Sequence, residues 1–157
     1  MSIDEVLMAV QDSAIAHAIS KSNHLVAASL QVVHVFGFVT LLAALLLISL
    51  RLLRWSFAQH TLAEVARDAN RLLFAGLALV TVSGVLMFVA TPQLYFHKPA
   101  FELKMLLFAI ALLLQFALLR NVVLVDTPRT WAVRTLVGLS MVTWFGIGFA
   151  GRMIGFT

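Results

Sequence analysis

Between Lys21 and Arg51 the chain carries 29 consecutive residues without a Lys, Arg, Asp or Glu. A bilayer core about 30 Å thick is crossed by about 20 apolar residues in a helix. In lipid every backbone group must be satisfied within the segment, so Ser22 to Leu50 reads as a membrane-spanning helix. The run nevertheless holds two imidazoles, His24 near its start and His34 a third of the way in. Polar groups in hydrocarbon are costly, and His34 therefore faces protein, water, a metal or a cofactor.

The rest of the chain agrees with a membrane assignment. Its residues are 62% hydrophobic and 11% charged, and mean hydropathy is +1.01, which excludes an ordinary soluble domain. The formal charge of +4 is no sign of nucleic-acid binding, because seven of the eleven basic residues (Arg51, Arg54, Arg67, Arg71, Arg120, Arg129, Arg134) sit in or beside two polar loops. Zero cysteines exclude disulfides, thiolate metal sites, iron–sulfur clusters and covalent haem attachment. Any metal must use His, Met, carboxylate or backbone ligands.

Ser2-Ile3-Asp4-Glu5 has the form of a capping box, and apolar residues then recur at helical spacing. Residues 2–20 are therefore expected to form an amphipathic helix on the membrane surface. Spans are expected at about 23–52, 70–91, 99–125 and 130–153, giving one all-α transmembrane domain over 1–157. Residues 58–70 read as the helical start of the second span, with Glu64–Arg67 and Asp68–Arg71 as i,i+3 ion pairs. Gly76, Ser83 and Gly84 leave room for a neighbouring helix or a flat ligand. Thr91 to Pro99 is a loop with interfacial aromatics, and Asp126-Thr127-Pro128-Arg129 a turn. The arginine-rich loops place the first and third connections in the cytoplasm. The chain is thus expected to be an up-down four-helix bundle of a bacterial inner membrane, with both termini on the outer side.

Threading depth through that topology gathers the polar groups. His34 lies ten residues beyond His24, about 15 Å deeper. His97 belongs to the outer loop, Lys104 lies about a turn and a half into the third span, and Arg152 closes the fourth. Each also has a plainer role: Lys104 and Arg152 as snorkelling cations, His97 as a loop residue, His24 as a helix cap, and Gln115 as an interhelical hydrogen bond. Met87, Met105 and Met153, on the same side, are ordinary packing residues unless they ligate. A neutral imidazole in a dry bundle suits haem iron, with outer cations pairing to propionates. Copper held by His and Met is the alternative.

The order His34 and Gly37, Arg51-Leu52-Leu53, Ser83-Gly84-Val85-Leu86-Met87-Phe88, then Tyr95, Phe101 and Lys104 resembles small four-span bacterial membrane proteins of unknown function. More distantly it is similar to the CopD copper-resistance proteins and to the HemJ protoporphyrinogen oxidases, over about residues 13–116. The resemblance implies a haem b site with His34 as axial ligand and Lys104 nearby, and it matches Arg51 to the Arg that ends the first span. HemJ-like chains carry a further histidine late in the third span, where this chain reads Leu114-Gln115-Phe116. That departure argues against identical chemistry; if two histidines bind the iron, the second comes from elsewhere, with His97 or His24 as candidates.

The function expected is a membrane haem b protein passing electrons, with a quinol or a partner redox protein. The site would comprise His34, His97, His24, Lys104 and Arg152, with His34 and His97 as metal ligands. Copper handling on the outer side, or an accessory subunit packing through its glycine-rich fourth span, or a homo-oligomer, are the other readings. Any enzymatic activity would be a haem-dependent oxidoreductase, since no carboxylate pair or Ser/His/Asp arrangement lies in the spans.

Overall fold

The computed structural model describes residues 2–21, 24–53, 55, 59, 62–118, 120 and 130–156. Among them there are seven helices and no strand: α1 (Ile3–Gln11), α2 (Ala14–Ser20), α3 (His24–Leu52), α4 (Leu62–Ala90), α5 (Pro92–Phe96), α6 (Pro99–Leu118) and α7 (Thr130–Met153). Four of these are long and apolar enough to cross a membrane: α3, α4, α6 and α7. The all-helical, multi-pass architecture is as expected. Large apolar side chains that remain exposed, among them Phe36, Leu113, Phe116 and Phe149, stand on these four helices. A bilayer supplies the apolar surroundings that such surfaces require.

The N-terminal segment differs from the single helix expected over 2–20. Ser2 forms the capping box, accepting from the Glu5 amide at 3.3 Å while Glu5 accepts from the Ser2 amide at 2.9 Å. The helix then stops at Asp12, and Ser13 caps a new one by accepting from the Ala16 amide at 3.3 Å. A serine hydroxyl that takes up a free amide at a helix start favours a new N-terminus over continuation. The loop expected after Thr91 likewise contains one helical turn, α5, begun by buried Pro92. The expected continuation of the third span to residue 125, and the turn at 126–129, fall outside the described residues save for Arg120.

The spans form two close pairs of consecutive helices, α3 with α4 and α6 with α7. The first pair touches backbone to backbone. A Cβ on Gly37 would stand 2.7 Å from the Leu79 Cβ, and one on Gly76 would stand 2.7 Å from the Leu41 amide nitrogen. Both distances are shorter than real contacts, so only glycine permits this approach; small residues are the usual device for close packing in lipid. The pairs meet chiefly where α3 crosses α7. There Leu41, Ala44, Leu45, Leu73, Ala111, Trp144 and Ile147 form the core. Phe38 and Phe108 set their rings 6.4 and 6.1 Å from that of Trp144. A smaller cluster of Leu118, Val133 and Val137 closes the opposite end.

α1 and α2 lie across one end of the bundle, against α5 and α4 respectively. Two polar contacts fasten this end: His97 Nε2 pairs with Asp4 at 3.5 Å, and Lys98 Nζ donates to the Ile154 carbonyl at 2.9 Å. Beneath them Tyr95 tilts against Phe101 at 5.9 Å, and Phe101 stacks on Phe88 at 5.5 Å.

Candidate functional site

Just inside the capped end, the four spans bring together His34 from α3, Ser83 and Gly84 from α4, Lys104 from α6 and Gly151 from α7. Helical register explains the meeting. The contact of Gly37 with Val80 fixes α3 antiparallel to α4, and one turn further toward the cap His34 reaches Ser83. The second-turn position of Lys104 on α6 sets it at the same level, beside the last turns of α7.

The hydrogen bonds define the state of the imidazole. Ser83, 2% exposed, donates its hydroxyl proton back to its own helix, to the Leu79 carbonyl, with the Val80 carbonyl also in reach at 3.3 Å. Its oxygen can then only accept from His34, whose Nδ1 lies 3.0 Å away. In that arrangement a neutral ring carries its proton on Nδ1 and leaves the Nε2 lone pair free. That lone pair faces Lys104 Nζ at 3.4 Å. The lysine stem runs along Gly151, whose added Cβ would lie 3.6 to 3.8 Å from Nζ, Cε and Cδ. On the other flank a Cβ on Gly84 would come within 3.1 Å of the His34 Cε1. A glycine thus stands beside each partner of the pair.

Of the five residues expected at the site, the structure brings His34 and Lys104 into contact. His97 is held at the surface by Asp4, each side chain 62% exposed. Arg152 is exposed and lies over the Phe156 ring, 4.9 Å from its centroid. His24 begins α3, and its side chain falls outside the described residues. No group of three His, Cys, Asp or Glu side chains able to hold a metal occurs among the described residues. Met105 and Met153 are exposed on their helices, whereas Met87, half-buried, follows Ser83 by one turn.

Ser83 is the site residue that the sequence hides, because a serine in a span ordinarily does no more than return its hydroxyl to its own helix. Deeper in the bundle, the Gln115 Oε1 and the Trp144 Nε1 are buried with no hydrogen-bond partner among the described residues. The interhelical bond expected of Gln115 is therefore not made by its carbonyl oxygen. An apolar groove of about 240 Å³ between α3 and α7, lined by Val39, Leu42, Ala43, Leu46, Met141 and Phe145, shares no residue with the polar group.

Fold and site together define a four-span, all-helical membrane protein with a histidine–lysine pair inside its bundle. The chain belongs to DUF6644, a family of unknown function whose model matches residues 10–157. No curated protein and no solved structure matches it, so the similarity to CopD and HemJ proteins is not shown by these comparisons.

Proposed function

We propose that this chain is a membrane haem b protein that passes electrons, with His34 binding the iron through Nε2. The observation that carries this reading is the contact of His34 Nδ1 with Ser83 Oγ at 3.0 Å. With the Ser83 hydroxyl turned back to Leu79, Nδ1–H donates to the Ser83 oxygen and the Nε2 lone pair is left facing Lys104 among the four spans. Metal-binding imidazoles are held in this manner, the second nitrogen donating to an oxygen acceptor so that ring and tautomer are set before the metal arrives.

The residues present fit the group in their donor chemistry. A neutral imidazole nitrogen in an apolar bundle is an ordinary haem ligand. Gly84 packs against the His34 ring and Gly151 against the Lys104 stem. Bound haem b supplies reversible one-electron chemistry. The chain's part is to orient the ligand through Ser83 and to keep water out with Phe88, Phe101 and Tyr95 at the capped end. A lipid-dissolved quinol or a redox protein docking at that end would exchange the electron.

Copper handling has less support. Thioether ligands would have to converge on His34; Met105 and Met153 are exposed, and Met87, half-buried one turn from Ser83, is the one thioether placed near it.

The test is the absorption spectrum of detergent-purified protein from haem-replete cells, oxidised and dithionite-reduced, with total metal content. A Soret band with sharpened α and β bands on reduction, lost in His34→Ala, is expected. A colourless, iron-free protein refutes the haem reading; copper in that sample promotes copper handling, and no metal an accessory role.

A further inference from the structure

We propose that the apolar groove between α3 and α7 seats one acyl chain of an anionic phospholipid, whose phosphate pairs with Arg134. The groove is lined by apolar side chains alone and shares no residue with the His34–Lys104 pair. Met141 and Phe145 form its wall on α7, and exposed Ala43 and Leu46 belong to its wall on α3.

Any apolar groove in a bilayer is filled by hydrocarbon, because lipid tails are as apolar as the side chains. What singles out a phospholipid is the end of the groove. Residues 134, 138, 141 and 145 fall on one face of α7, so Arg134 and Gly138 continue the line of the groove wall away from the capped end. Gly138 leaves that line open, since a Cβ there meets nothing within 4 Å. Arg134 is exposed, and among the described residues no carboxylate pairs with it. Trp131, one turn earlier and 66% exposed, is an aromatic of the kind that marks the headgroup level.

Length and charge fit the same occupant. From Arg134 to Phe145 the helix rises about 16 Å. One leaflet contributes about 15 Å to the hydrocarbon core, so a chain whose phosphate lies at Arg134 ends near Phe145. Guanidinium groups pair with phosphate through two parallel hydrogen bonds. A zwitterionic headgroup brings its own ammonium, and neither α3 nor α7 holds an Asp or Glu to receive it. Arg51, Arg67, Arg71 and Arg120 accompany Arg134 at this end against Glu64 and Asp68, so the local field also favours an anion.

Native mass spectrometry of the full chain tests this, from micelles holding equal phosphatidylglycerol and phosphatidylcholine with the same acyl chains. One phosphatidylglycerol per chain should be retained, favoured about fivefold over phosphatidylcholine, the effect of one arginine near an anionic headgroup. Arg134→Gln should bring the two lipids to parity, and Arg134→Lys should keep the preference. Ala43→Phe fills the groove from an exposed position and should lower retention of both lipids. If Ala43→Phe does not fold, Gly138→Leu, with open space around it, should do the same. Parity in the unaltered protein, or a preference that survives Arg134→Gln, overturns the headgroup assignment. Retention unchanged by the groove-filling variants overturns the seat. A dimer that those variants split, or an isoprenoid quinone that they displace, gives the groove another occupant and overturns the proposal.

Discussion

The carbonyl oxygen of Gly37 lies 2.8 Å from the point at which a Cβ on Gly76 would stand. Two helices that approach this closely gain contact along their backbones, the main source of attraction between spans where lipid is as apolar as the side chains. The same contact sets the register that carries His34 to Ser83, so helix packing and site geometry are one arrangement.

Gly76→Ala should therefore destabilise the protein by about 1–3 kcal/mol, the usual cost of overpacking. Gly138 is the control, because a Cβ there meets nothing within 4 Å. Gly138→Ala should be neutral or stabilising by up to about 1 kcal/mol, since alanine is the better helix former. Thermal unfolding in one detergent, both variants side by side, checks the contrast. Equal effects would mean that α3 and α4 do not touch at Gly76.

Ser83→Ala removes the acceptor that fixes the His34 ring. In the ligand-free protein, nitrogen-15 spectra of labelled histidine should show His34 protonated at Nδ1, and the variant should show a mixture of tautomers. Loss of such a partner typically weakens metal binding about 10- to 100-fold. Haem titration of the variant should show a weakening of that size. An unchanged tautomer in Ser83→Ala would contradict the hydrogen-bond assignment.

Tyr95 is the single tyrosine of the chain, and its partly buried position pushes the phenol pKa up from the usual 10.0. Burial disfavours the phenolate, so the folded state holds its proton to higher pH than the unfolded state. The stability linked to this group is fully present below the unfolded value and is lost as pH rises through the folded one. Absorbance titration of the phenolate in folded protein should have its midpoint above that of unfolded protein. Coincident midpoints would place Tyr95 in open water.

Trp144 is 2% exposed, and its ring is touched by Phe38 from α3 and Phe108 from α6. Trp144→Ala should cost about 3–5 kcal/mol, as for other large core residues. Trp144→Phe should cost less, because the indole nitrogen has no hydrogen-bond partner among the described residues to lose. Unfolding in a graded series of denaturing detergent measures both.

The spans could be read from the sequence because lipid demands long runs without charge, and few other folds contain them. His34 stood out for the same reason, as an imidazole where imidazoles are costly. Pairing was harder to read. Gly37 and Gly76 look like Gly138 or Gly146 in the sequence, and only the backbone approach separates them. Ser83 was masked by its similarity to Thr40 and Thr143, whose hydroxyls also return to the carbonyl four residues back. It does the same, yet its remaining lone pair serves His34. The partner of His97, Asp4, lies so far off in the chain that no local pattern joins them. The break at Asp12–Ser13 had a visible sign, a serine able to cap, that the continuous apolar spacing overrode.

The grouping of neighbouring spans bears on biogenesis. Synthesis delivers α3 and α4 first, and segments made earlier can associate before later ones emerge. A nascent chain halted after α4 would carry a histidine already tethered to Ser83, its free nitrogen turned toward lipid. Arrival of α6 and α7 covers that nitrogen with Lys104. Completed insertion thus adds a polar contact inside the bundle between residues 70 positions apart.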